Sequence, residues 1–132
     1  MPKSTKITVE TKGKEQVVDI TGQITNLVGP DTAQVQIFVQ HTTCAVGTAD
    51  LDPGGTDIDY LEALRKMIPA IDFRHPHNPA HMPDHILATL IGPDVTIPIA
   101  DGKLGLGTWQ RVVLFEFDGP RKRNLVVNIF RR

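Results

Sequence analysis

The chain is poor in cysteine, in aromatic residues and in net charge, and each shortage removes a class of explanation. A single cysteine, Cys44, excludes an internal disulfide framework. The opening Met1-Pro2-Lys3-Ser4-Thr5-Lys6 has no apolar h-region of the kind a secretory leader needs. Together these lead to the expectation of a cytoplasmic protein. No apolar run approaches the roughly 20 residues that span a bilayer, so no membrane partner is expected. A formal net charge of −1 sets up no overall field toward nucleic acid or acidic lipid. Nucleic-acid binding through Arg121-Lys122-Arg123 and Arg131-Arg132 is therefore a minor reading beside that of solvated basic turns. The glycine fingerprint of a nucleotide-binding parallel sheet is absent, as are repeats and low-complexity segments. At 132 residues the chain fits one domain, 1–132, able to bury a core.

What the chain does have is imidazole. Four of its five histidines lie in His75-Pro-His77-Asn-Pro-Ala-His81-Met-Pro-Asp-His85. Imidazole titrates near neutral pH and is the commonest metal ligand. The spacing does not match a zinc finger and no second cysteine exists. Two readings stand side by side. One is a solvated polar turn. The other is a site whose imidazoles hold a metal with an open position, move protons, or grip phosphate at a helix start. The fifth histidine begins His41-Thr42-Thr43-Cys44, where Cys44 reads better as a small buried hydrophobe than as a nucleophile. On one continuous strand His41 and Cys44 would face opposite sides.

Periodicity locates these residues. Ile7 and Val9 alternate with polar neighbours, Thr11 to Lys14 reads as a turn, and Gln16 to Ile20 as the returning strand of an N-terminal hairpin. Thr21 is expected to cap a short helix carrying Ile24, Leu27 and Val28, ended by Gly29-Pro30. Ala33 to Thr43 is the clearest strand, with Val35, Ile37 and Val39 on one face and an extended pattern running on toward Val46. Thr56 and Asp59 form a capping-box pattern ahead of Ile58, Leu61, Leu64 and Ile68, and Pro69 stops that helix. Pro83 predicts the first residue of another helix, with Asp84 and His85 in its first turn. His81 falls before that helix, so no i,i+4 pair with His85 is expected. Val95, Ile97 and Ile99 form a strand that turns at Asp101-Gly102, with Pro98 at an edge or bulge; 112–117 and 125–130 are the last strands. Gly105-Leu106-Gly107-Thr108-Trp109-Gln110 reads either as an indole face for a flat heterocycle or as a core tryptophan at a strand bend.

Several segments in order carry a resemblance: Gln40-His41-Thr42-Thr43, Asp52-Pro53, Phe73-Arg74-His75, Met82-Pro83-Asp84-His85-Ile86 with Leu90-Ile91-Gly92, Ile97-Pro98-Ile99, Gly102-Lys103-Leu104, Gly107-Thr108-Trp109-Gln110, and Glu116 to Arg121. Together they resemble the YjbQ-like family, described as secondary thiamine-phosphate synthases, over nearly the whole chain. The resemblance implies an α+β fold of two packed, mostly antiparallel β-sheets with about three short helices. It also implies a homotrimer with a site near a subunit interface. The implied reaction joins a pyrimidine-methyl pyrophosphate to a thiazole phosphate and releases pyrophosphate. On that resemblance His41, His75 and His85 are candidate catalytic residues, and also candidate ligands of a divalent ion such as zinc or magnesium. Thr42, Thr43, Thr108, Trp109 and Gln110 are candidate contacts for a small phosphorylated substrate. The chain departs from the family at Ala49-Asp50, where an Asn-Glu pair is usual, and at Cys44, usually a small residue. His77 and His81 have no counterpart in the family pattern. The rival expectation is a non-catalytic metal- or ligand-binding oligomer that uses the same histidines.

Overall fold

A computed structural model describes residues 2–132 as eight strands and three helices. Strands β1 (Lys3–Glu10), β3 (Thr32–Val39), β5 (Asp94–Ala100), β6 (Lys103–Leu104) and β8 (Lys122–Arg131) form an antiparallel sheet in the order β1-β8-β3-β5-β6. Strands β2 (Gln16–Asp19), β4 (Cys44–Asp50) and β7 (Gln110–Glu116) form a second in the order β2-β7-β4. The helices are α1 (Thr21–Thr25), α2 (Thr56–Lys66) and α3 (Met82–Ile91). The fold is α+β with two antiparallel sheets, as expected. No helix of the described residues is long and apolar enough to cross a membrane.

The burial pattern of β7 explains the layering. Val112 and Leu114 enter the core shared with Val35, Ile37, Leu125 and Val127 of the larger sheet. Val113 and Phe115 face the other way, onto Leu87 and Ala88 of α3 and Tyr60, Leu61 and Leu64 of α2. A central strand covered on both faces reads as a continuous apolar run rather than an alternation, which is why Val112 to Phe115 shows no polar interruption. Strand β4 presents Ala45, Gly47 and Ala49 to the helices. These small residues let α3 come close: a Cβ at Gly47 would sit 3.8 Å from the Ile91 side chain.

Several expectations give way. The N-terminal hairpin does not form: β1 pairs with β8 along its length and β2 pairs with β7. The intervening turn is tied to distant backbone instead, with the Thr11 amide donating to Arg121 and the Gly119 amide donating to Lys14, each at 2.9 Å. The long strand expected through Thr43 stops at Val39, and residues 40–43 carry the chain across to the other sheet. Periodicity misses that step because both sides of it alternate. Helix α2 is capped by Gly55, at φ 110°, with no side-chain cap from Thr56. Ile58 is left exposed while Tyr60 joins the packed face. Finally, a 3₁₀ turn over Pro79–His81 runs into α3 with His81 in helical conformation (φ −79°, ψ −18°), so His81 and His85 do lie one turn apart. The Asp101-Gly102 turn signal holds, with both residues at positive φ, 53° and 73°, in the β5–β6 turn, whereas Thr21 opens α1 instead of capping it.

Candidate functional site

The crossing at 40–43 and the first turn of α3 face each other, and each contributes an imidazole. The backbone N–H of Asn124 donates to His41 Nε2 at 2.8 Å, which requires the lone pair there and leaves the proton of the neutral ring on Nδ1. Burial pushes the His41 pKa down, and the nearby Arg123 guanidinium pushes the same way. His85 carries the same tautomer, reached through its other nitrogen. Its Nδ1 lies 3.1 Å from the Thr42 carbonyl oxygen, which can only accept, so Nδ1 is the donor and Nε2 is left free. His41, Thr42, Cys44, His85 and Thr89 share a cleft of about 380 Å³. Because the strand breaks before residue 40, His41 and Cys44 do reach the same cleft. Burial pushes the Cys44 thiol up to about 12, so it is a packing residue and not a thiolate.

Two further imidazoles gather behind His85. The His75 ring stacks on it, with centroids 5.1 Å apart and planes 13° apart. His81 meets His75 edge-on at 6.4 Å, with its Nε2 3.8 Å from Asp118 Oδ2. His77 is exposed on the loop.

Within one chain His41, His75 and His85 do not fit a shared metal ion. His41 has its Nε2 engaged by Asn124. The parallel rings of His75 and His85 keep their in-plane lone pairs from converging. His85 alone offers a free nitrogen backed by a carbonyl, the arrangement of a metal-ready imidazole. Among the described residues, the three metal-capable groups that come close together are His81, Asp84 and Asp118, within 4.8 Å. A cation of the protein already occupies that position: Lys14 Nζ lies 2.7 Å from Asp84 and 3.0 Å from Asp118. Arg65 adds a second contact to Asp84 at 2.7 Å, and Arg121 one to Asp118 at 2.9 Å.

The remaining candidates lie elsewhere. The β4–β7 ladder runs from Cys44 opposite Glu116 to Asp50 opposite Gln110, a span of about 20 Å at the usual rise per strand residue. Thr108, Trp109 and Gln110 are therefore at the far end of the ladder from His41 and His85. Trp109 is 68% exposed, which removes the core-tryptophan reading. The Gln110 amide ties its own loop, accepting from the Gly107 amide at 2.8 Å and donating to Thr48 Oγ1 at 3.3 Å. Thr43 is buried, and its hydroxyl accepts from Arg123 at 2.8 Å.

Sequence reasoning missed the polar core beside the cleft. Arg123, taken as part of a solvated basic turn, is 2% exposed and pairs with the fully buried Glu116, Nε to Oε1 at 2.9 Å. Thr11 donates to the same carboxylate at 2.7 Å. Burial would raise the Glu116 carboxyl, but the hydrogen bonds from Arg123 and Thr11 hold it below its usual value. Alternation carried the missing signal: Arg123 has the parity of Leu125 and Val127, and Glu116 that of Val112 and Leu114, all inward-facing.

Comparison with known proteins gives a consistent set of relatives. A family model described as "UPF0047 protein YjbQ-like" matches residues 5–132. The chain is 35% identical over 123 residues to a UPF0047 protein of Archaeoglobus fulgidus, covering 92% of this chain and 97% of that one. The crystal structure of a hypothetical protein from Aeropyrum pernix K1 superposes with a TM-score of 0.86 at 31% identity, over 98% of this chain and 99% of the other. A YbjQ-like protein of unknown function from Sulfolobus solfataricus P2 does so with a TM-score of 0.85 at 31% identity, over 98% and 96%.

Proposed function

The chain belongs to the YjbQ-like UPF0047 family, and from that premise we propose that it is a transferase of the thiamine-phosphate-synthase type, with the His41–His85 cleft as the seat of the substrate's pyrophosphate. The carrying observation is the His85 Nδ1 contact with the Thr42 carbonyl at 3.1 Å. It fixes the ring and aims the remaining nitrogen at whatever fills the cleft. His41 Nδ1–H and the hydroxyls of Thr42 and Thr89 supply neutral donors for phosphate oxygens. In the proposed step the thiazole nitrogen lone pair forms a C–N bond to the pyrimidine methylene carbon. The C–O bond to pyrophosphate breaks, and its electron pair leaves with the pyrophosphate. Protonated at Nε2, His85 donates into that growing negative charge. His75, stacked on His85, is a positioning residue for it.

The proposal includes a homotrimer in which Thr108, Trp109 and Gln110 of one copy approach the cleft of the next. An exposed indole about 20 Å along the ladder from the imidazoles reaches them only across a boundary between copies. The rival reading, a non-catalytic metal- or ligand-binding oligomer, draws on the same histidines, and the engaged Nε2 of His41 weighs against its metal-binding form.

Pyrophosphate release from the pyrimidine-methyl pyrophosphate, with the thiazole phosphate as acceptor, is the test. His85→Ala is expected to slow release by about 10²–10⁴-fold while the protein keeps its fold and assembly state. A wild-type protein without release above background, or a His85→Ala variant as fast as wild type, sinks the proposal.

A further inference from the structure

A cavity of about 410 Å³, larger than the histidine cleft, lies against α2. Its floor is apolar, made by Ala63, Leu64 and Met67 on one side of the helix. Tyr60 forms a wall: the ring is braced edge-on against Phe115 at 6.1 Å, and the hydroxyl accepts the Asp50 amide proton at 3.1 Å. The rim carries two carboxylates, Asp50 and Asp59.

Like several other acids of the chain, these two have no ion-pair partner among the described residues; what sets them apart is that both line one apolar groove. Ion pairs among the described residues take up Glu10, Glu15, Asp19, Asp84, Glu116 and Asp118. Among the described residues Asp50 and Asp59 have no basic side chain within such reach, and no residue lining the cavity is basic. One turn along α2 from Asp59 come Glu62 and Ala63, so the helix itself supplies no cation. Asp50 is held in place through the Asp52 amide, which donates to its Oδ1 at 3.1 Å. The result is a trough with an apolar floor, an aromatic wall and two uncompensated negative charges at its mouth.

Charge complementarity selects the occupant. A metal ion gains nothing from the Leu64–Met67 floor, and a neutral apolar molecule leaves the carboxylates uncompensated. A positive charge on an apolar body uses all three features: carboxylates for the charge, the Tyr60 ring for a cation–π contact, and the floor for hydrophobic burial. We propose that this groove binds a small organic cation of the aromatic ammonium or cationic heterocycle class. The groove is separate from the histidine cleft, although Asp50 lies opposite Gln110 in the β4–β7 ladder, and cation binding to the full chain is read without the reaction proposed for that cleft.

The probe is benzyltrimethylammonium, titrated into the full chain at low ionic strength and followed by amide ¹H–¹⁵N shifts, with benzyl alcohol as the neutral control. Saturable shifts confined to residues 50 and 59–67 are expected, with binding that weakens as salt is added. Asp50→Asn with Asp59→Asn is expected to weaken the cation about fivefold or more, each carboxylate acting as an exposed ion-pair partner. Asp59→Asn alone, at an exposed helix position, is expected to weaken it by a smaller factor and keeps the test readable if Asp50→Asn disturbs its loop. The inference is overturned if benzyl alcohol binds as tightly as the cation. It is equally overturned if the Asn variants bind like wild type, or if no saturable shift appears in the groove.

Discussion

His41 shows how one backbone contact sets the chemistry of a side chain. The Asn124 amide needs a lone pair on Nε2, so protonating that nitrogen forfeits the bond. Burial first, and then the charge of Arg123, hold the pKa below its ordinary 6.5. Below pH 6.5 the unfolded chain thus binds more protons at this residue than the folded one. The contribution to stability is complete above 6.5 and is lost as the pH falls through the folded pKa. The depressed carboxylates Asp19, Asp118 and Glu116 act in the same direction but further down, below their ordinary 3.8, 3.8 and 4.5. The melting midpoint is therefore expected to begin falling below pH 6.5, before the carboxylates contribute. His41→Gln, whose amide oxygen accepts the same N–H without titrating, should flatten that first segment only. Equal slopes for the two proteins between pH 6.5 and 5 would remove His41 from the linkage.

At the scale of elements, the two sheets are joined at one end by charge rather than by apolar contact. Arg123 starts the inward row of β8 and Glu116 ends that of β7, while Thr43 on the sheet crossing and Thr11 beyond β1 satisfy the remaining groups. No buried side-chain donor or acceptor is left unpaired among the described residues. Removing one partner strands the other charge in the interior, so Arg123→Ala is expected to cost about 3–5 kcal/mol in denaturant unfolding. Replacing both, with Arg123→Met and Glu116→Leu, is expected to recover most of that loss, because two apolar side chains carry no desolvation penalty. A single variant as stable as wild type would mean that water reaches the pair. Arg123 also donates to the Thr43 carbonyl at 3.3 Å, so the same clamp holds the backbone next to the Thr42 carbonyl that orients His85.

For the whole molecule, the separation between the histidine cleft and the Gly107-Thr108-Trp109-Gln110 loop is the decisive fact. If two copies build each site, His85→Ala and Trp109→Ala each abolish activity alone, since every site in either assembly lacks one half. Hybrid trimers formed by mixing the two are expected to regain about a quarter of wild-type activity, the share of boundaries that join an intact cleft to an intact loop. Sedimentation of the wild type should show three copies. A monomer, or hybrids as inactive as their parents, would show that the loop and the cleft do not work together.

Much of the architecture was legible in the chain. Alternation fixed the inward faces of β3 and β5, prolines marked the end of α2 and the start of α3, and ordered motifs indicated the family and so the two-sheet fold. Each of these signals is local, or is a pattern of residues in series. The crossing at 40–43, the partner of β2, the burial of Arg123 with Glu116, and the tautomers of His41 and His85 were not legible. The strand partner and the two ring contacts depend on groups more than 40 residues away in the chain, the Arg123–Glu116 pair is completed by the equally distant Thr11 and Thr43, and a strand's alternation says which face is apolar without saying which strand will lie beside it. The amino-acid order thus determined which residues turn inward. Only the packing of sheet on sheet and helix on sheet decided which imidazoles meet, which hold a free lone pair, and which charges are spent on holding the molecule together.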